Sequence, residues 1–274
     1  MKQIVELNLW QFGLIYLLLL VVITVLRVCK IDQTKNLLLA SARMTLQLTL
    51  AGLILTYIFK NPHPAFIALY LAGMITFAIF RVFTVNKGLN RRFRWIVAAS
   101  VACSGLLVMI YFVVLVVNED LGNPQYVIPI SGMLMGNTMT GVSLGVKTFF
   151  KNLEDQSVRI ETLQNMGVKP DQLFMPFVRQ AMETAFLPTI NTMVGIGVVS
   201  LPGMMTGQIL SGTLPTTAIL YQIAIMIAIC TTVCLATFGT LYFGYRTLYN
   251  ERSQMVFAVP GPQPAAGQKR VGGE

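Results

Sequence analysis

The sequence predicts an all-α protein, a polytopic membrane helical bundle of about seven transmembrane helices with its N-terminus outside and its C-terminus inside. Three observations carry this. Only 11% of the 274 residues are charged against 55% hydrophobic, whereas soluble domains carry about 25% charge. Apolar runs recur at 9–28, 37–59, 65–85, 95–117, 126–146, 185–210 and 218–245, each close to the ~20 residues that a spanning helix needs. Lys and Arg gather in alternate loops, which fixes the orientation.

The first run follows Lys2 and Glu6 and has no small-residue cleavage pattern after it, so it reads as a retained span and not a signal peptide. With the N-terminus outside, the inner loops hold Arg27, Lys30 and Lys35, then Arg81, Lys87, Arg91, Arg92 and Arg94. They continue with Lys147, Lys151, Arg159, Lys169 and Arg179, and end with Arg246, Arg252, Lys269 and Arg270. Lys2 and Lys60 alone fall outside, and the outer loop with Glu119 and Asp120 lacks Lys and Arg. The formal net charge of +9 therefore expresses topology and not a nucleic-acid surface. Residues 1–256 are expected to form the transmembrane domain, with a cytoplasmic segment at 147–184. Residues 257–274, rich in Pro, Gly and Ala, form a tail expected to be disordered. Cys29, Cys103, Cys230 and Cys234 lie in or at the ends of apolar runs, which argues against a disulfide framework.

Polar residues inside the spans are the first functional candidates, because such residues normally face protein or water. In the second span Arg43 and Gln47 lie one turn apart on one face. Arg43 either snorkels to the cytoplasmic interface or serves a path or an interhelical bond. The fifth span carries the pairs Gly132/Gly136 and Gly141/Gly145, for which close helix packing is the default reading. Asn137, an amide at mid-membrane depth, needs a partner or water and is the first candidate for a translocation path.

The sixth span is interrupted by Pro188 and by Pro202-Gly203. A kink or break is expected near Pro202, either to line a cavity, with Asn191 and Gln208 as path candidates, or to improve packing. Met204, Met205, Cys230 and Cys234 form a weak soft-metal candidate, for which packing is the preferred reading. His63, the lone histidine, lies between Pro62 and Pro64 in an outer loop and is a weak ligand signal.

The segment 147–184 is the one long polar interruption. Asn152 is placed to cap a helix whose first turn holds Glu154 and Asp155. Leu153, Ile160, Leu163 and Met166 then share one side, and Gly167 and Pro170 end the helix. A second helix is expected from Pro176 to Leu187. This cytoplasmic amphipathic pair suits mechanical coupling, or else rests on the lipid surface.

No catalytic constellation is visible. The stretch from Gly141 to Thr148 comes near a phosphate loop, but Val146 stands where Gly is required before Lys147-Thr148. The chain is therefore expected to bind no nucleotide or other cofactor and to be no enzyme by itself. No carboxylate falls clearly within a span, which disfavours ion-coupled secondary transport.

Residues 161–167, Glu-Thr-Leu-Gln-Asn-Met-Gly, resemble the Glu-to-Gly core of the coupling motif in ABC-transporter permeases. The later Leu187-Pro188 lies farther from Gly167 than in the standard importers. Over almost the whole chain up to the tail, the sequence is similar to the FetB-like permeases, which include bacterial iron exporters and plant aluminium-tolerance permeases. The most specific pieces are Arg43-x-x-x-Gln47, the run from Pro129 to Asn137, the run from Arg159 to Gly167, and Pro202-Gly-Met-Met-Thr-Gly-Gln208.

The resemblance implies a homodimer in the cell inner membrane, in contact with membrane lipid. It also implies two copies of a cytoplasmic ATPase that carry ATP and Mg. Arg159, Glu161, Leu163 and Gly167 would then couple to that ATPase, and the cargo would be iron or another metal. A secondary carrier and a membrane scaffold without transport remain the alternatives.

Overall fold

A computed structural model describes residues 9–249, and among them every regular element is helical. The helices in order are α1 (Leu9–Val28), α2 (Thr34–Lys60), α3 (Pro64–Val85), α4 (Arg91–Tyr111), α5 (Pro124–Asp155), α6 (Ser157–Asn165), α7 (Pro170–Gly195), α8 (Gly203–Leu210) and α9 (Pro215–Tyr245). A π-helical turn, Phe112–Val117, extends α4. By length and apolarity Thr34–Lys60, Pro64–Val85, Arg91–Val117 and Pro215–Tyr245 can each cross a membrane, and Gly13–Val28 is a shorter apolar helix. The remaining expected spans coincide with α5 and with α7 and α8, which carry the polar residues singled out above. The tail 257–274 and the charges at Lys2, Arg252, Lys269 and Arg270 lie outside the described residues.

Proline sets the register of four of these helices. Pro64, Pro124, Pro170 and Pro215 each stand at a helix start, where the missing N–H costs nothing and φ is preset. The side chains of His63 and Asn123 accept hydrogen bonds from the backbone N–H of Ala65 (3.2 Å) and Gln125 (3.1 Å). The lone histidine thus caps a helix.

α5 is the axis of the bundle, packed by α3, α4, α7 and α9. Small residues allow these approaches. A β-carbon on Gly141 would sit 2.7 Å from Val233 Cγ1 of α9, and one on Gly145 would sit 3.2 Å from Ala185 Cβ of α7. On Gly132 it would lie 2.9 Å from Met74 Cε of α3, whereas on Gly136 it would meet nothing within 4 Å. Three of the four glycines of the two pairs are therefore packing residues, and Gly136 faces outward. Between α4 and α9 the close contacts are Ser100 against Gly239 and Phe93 against Gly244.

One core cluster surrounds Phe93, Phe149, Phe174, Leu241 and Tyr245 toward the end of the bundle that carries α6, and another surrounds Phe112, Ile130, Leu134 and Ile225. α1 and α2 stand at the periphery. The Tyr16 hydroxyl meets that of Thr45 between them, and Ile58 is the buried residue of α2.

The elements around the polar interruption differ from the sequence expectation. α5 runs without a break to Asp155, so Asn152 does not begin a helix; its amide donates to Gln180 Oε1 at 3.0 Å. The charges at 147–155 mark the end of the apolar stretch, but a helix does not stop where its surroundings change from lipid to water. The second helix begins at Pro170 and not at Pro176, and it passes through Pro176 and Pro188 to Gly195. An interior Pro costs one hydrogen bond, which a helix held by neighbours tolerates.

The interruption of the sixth span is real and longer than a kink. α7 ends at Gly195, residues 196–202 form a tight turn, and Pro202 caps α8 with Gly203 as its first residue.

Candidate functional site

The coupling candidates Arg159, Glu161, Leu163 and Gly167 gather on α6 and the turn that follows it. α6 buries Ile160 and partly buries Leu163 against the core of its own chain. Leu163 therefore anchors the helix. The opposite face presents Val158, Glu161, Thr162 and Met166 outward. Met166, expected on the inner side, is 74% exposed, because it stands at the cap, where the helix has already begun to unwind. Arg159 is exposed and donates from Nη1 to Gln156 Oε1 at 3.2 Å.

Gly167 closes α6 with φ +80. Its N–H donates to the Gln164 carbonyl at 3.0 Å, and that of Val168 donates to the Leu163 carbonyl at 3.2 Å. This pair of bonds is a Schellman cap, whose left-handed residue favours glycine. Pro170 starts α7 directly afterward, so α6 projects as a short knob between two helices of the bundle. Two contacts brace that base. The Tyr245 hydroxyl donates to Asp171 Oδ1 at 2.9 Å, and the Phe174 ring stacks on Tyr245 with centroids 6.0 Å apart. Tyr249 lies on the same ring stack; burial first, and then the Asp171 carboxylate, pushes its phenol pKa up. None of these braces was foreseen from the sequence, where Asp171 and Tyr245 lie far apart.

The path candidates are not gathered inside a closed cavity of one chain. Arg43 and Gln47 are exposed on α2, and the Arg43 guanidinium lies over the Phe77 ring of α3, 5.7 Å from its centroid. That aromatic contact fixes Arg43 at the level of mid-α3. Asn137 is exposed on α5 between Gly136 and Thr140, and its amide donates back to the Met133 carbonyl at 2.8 Å. Asn191 is exposed near the end of α7.

Gln208 of α8 is half-buried, and its Oε1 is buried without a hydrogen bond, as is Oε1 of Gln222 on α9. Gln222 was not singled out in the sequence, because a lone amide in an apolar run carries no pattern. Met204 and Met205 lie on α8, where Met205 is buried and Met204 packs against the second core cluster. Cys230 and Cys234 are half-buried on α9. Among the described residues no group of three or more His, Cys, Asp or Glu is placed to hold a metal.

Comparison with known proteins places this geometry in a family. The chain is 32% identical over 254 residues to "UPF0014 membrane protein slr1647" of Synechocystis, covering 92% of this chain and 98% of that protein. It is 29% identical to "Probable iron export permease protein FetB" of Escherichia coli, over 91% of this chain and 96% of that protein. It is also 30% identical to "Protein ALUMINUM SENSITIVE 3" of Arabidopsis thaliana, over 68% of this chain and 67% of that protein. No solved structure matches. The profile described as "Uncharacterised protein family (UPF0014)" matches residues 9–249, and the chain belongs to this family of multi-pass membrane proteins.

Proposed function

We propose that the chain is the permease subunit of an ATP-driven exporter of iron or another metal ion, energised by a separate cytoplasmic ATPase. The observation that carries the reading is the α6 knob. A short helix with Val158, Glu161 and Met166 facing outward is held rigidly at its base and is continuous, through α7, with the break in the sixth span. The similarity to a protein named as an iron export permease supports the cargo class.

In this reading the protein works as a homodimer in the cell inner membrane, N-terminus out and C-terminus in. ATP and Mg reside on the ATPase. Its nucleotide-dependent closure moves α6, and the polar faces with Asn137 and Asn191 switch access between the two sides. Only a difference in ATPase affinity for the two permease states drives such a switch.

The test is copurification with the ATPase and metal-stimulated ATP hydrolysis in vesicles. Glu161→Ala should weaken ATPase association or stimulation while membrane insertion stays intact. Transport in vesicles lacking any ATPase would refute the proposal in favour of a secondary carrier.

A further inference from the structure

The outer surface of the α4–α9 pair carries a groove of about 730 Å³ that runs from Leu107 and Leu235, over Ala99, Cys103 and Gly239, to Arg246. From Leu235 to Arg246 is about 16 Å of helix, close to one leaflet of a hydrocarbon core about 30 Å thick. The floor is made of small residues, and the exposed side chains of Leu107, Leu235 and Phe243 stand around it. Beneath it the two helices touch, since a β-carbon on Gly239 would sit 2.8 Å from Ser100 Oγ.

Both walls belong to helices long and apolar enough to cross a membrane, Arg91–Val117 and Pro215–Tyr245. Their ends meet, because Phe93 packs against Gly244. The mouth of the groove at Arg246 is thus the end of two spans at once, where hydrocarbon gives way to headgroups.

Charge at that mouth sets this groove apart. The grooves between α2 and α3, between α1 and α2, and around Tyr111 and Ala228 are lined by no charged side chain. Here the Arg246 guanidinium lies 4.7 Å from the centroid of the Tyr242 ring and donates from Nη2 to the Tyr242 hydroxyl at 2.9 Å. That bond takes one of its five N–H donors. Arg246 forms no ion pair among the described residues, and the Asp171 carboxylate accepts from Tyr245 instead. On the facing wall Arg92 is exposed one turn before the groove residue Ile96, on the same helical face. Trp95, 69% exposed one turn before Ala99, stands at the level where aromatic rings bridge hydrocarbon and water.

We propose that this groove seats an anionic phospholipid, with one acyl chain along the apolar floor and the phosphate between Arg92 and Arg246. The inference goes beyond the transport reading and stands without it, because it needs only the membrane. Arginine pairs strongly with phosphate oxygens, and an acyl chain matches the length and apolarity of the rest. A second copy does not fit this surface. A twofold axis along the spans would set Arg92 and Arg246 beside their own images, and like charges repel.

The experiment uses full-length chain carrying Trp10→Phe, which leaves Trp95 as the remaining tryptophan. It is reconstituted in phosphatidylcholine nanodiscs that hold a fixed fraction of either phosphatidylglycerol or phosphatidylcholine with brominated acyl chains. Bromine quenches a tryptophan that it touches. Brominated phosphatidylglycerol should quench Trp95 as strongly as about five times as much brominated phosphatidylcholine, the factor that one cation near an anionic lipid supplies. Arg92→Gln with Arg246→Gln should abolish the preference, and Lys151→Gln, at an exposed cation of α5, should keep it.

Equal quenching by the two lipids would overturn the proposal, as would a preference that survives the double substitution. Ala99→Phe is a second test that removes no charge and changes an exposed residue. Its ring fills the floor, so the preference should fall. An unchanged preference would mean that headgroups gather at the basic helix ends without any seat in the groove.

Discussion

Gly167→Ala isolates the role of one backbone conformation. A β-carbon at this position meets nothing within 4 Å, so packing contributes nothing to the change. What remains is the left-handed backbone at φ +80, which costs an L-residue about 1–2 kcal/mol. Gly167 is exposed and lies between α6 and α7, so the loss falls on the Schellman bonds to Gln164 and Leu163 and frays the last turn of α6. If docking needs an ordered α6, its apparent affinity falls by the fraction that remains ordered, at most about tenfold for 1.4 kcal/mol.

The assay is ATPase stimulation titrated with purified permease, beside a thermal melt of the permease alone. Gly167→Ala should raise the concentration needed for half-stimulation, leave the global melt nearly unchanged, and be partly rescued by Gly167→Asn, since Asn tolerates this region. Equal behaviour of the Ala and Asn variants, or a large drop in the melt with unchanged stimulation, would refute the reasoning.

Gly141→Ala should destabilise the bundle despite alanine's better helix propensity. The new carbon lies 2.7 Å from Val233 Cγ1, and overpacking costs about 1–3 kcal/mol against a gain of about 1; adding Val233→Ala should restore much of the melting temperature. Tyr245→Phe removes the 2.9 Å bond to Asp171. A loss of about 1 kcal/mol is expected in the melt, with a larger fractional loss of ATPase stimulation than of transport-independent ATP binding. Asn137→Ala deletes an exposed amide bonded only to its own helix, so the melt should shift by no more than about 0.5 kcal/mol. Metal efflux from loaded vesicles should fall, and unchanged efflux would remove Asn137 from the path.

Four of the expected spans and the shorter apolar first helix were legible because a long apolar run in a sparsely charged chain has few other readings. The run 9–28 coincides with α1 end for end, and Pro202-Gly203 marks the start of α8. Where the sequence misled, polarity was taken for a boundary. Asn152 has a capping side chain, yet α5 continues past it because its buried face, with Phe149 and Leu153, keeps helical spacing. Pro176 resembles a helix start, but Pro170 comes earlier and already follows the glycine that ends α6. Other features need the third dimension. Gly136 and Gly141 carry the same small-residue signal, yet one faces outward and the other is locked against Val233. Likewise nothing near Asp171 in sequence announces its bond to Tyr245.

The uninterrupted course of α7 through two internal prolines has a mechanical consequence. A helix of 26 residues is a stiff rod about 39 Å long, tethered near one tip by Asp171 and ending at the other in the 196–202 turn. A tilt of about 5° about the tether displaces the far tip sideways by about 3 Å, roughly the reach of a hydrogen bond. A small push at the α6 end is thereby geared up into a displacement at the other tip of the rod, with no unfolding in between.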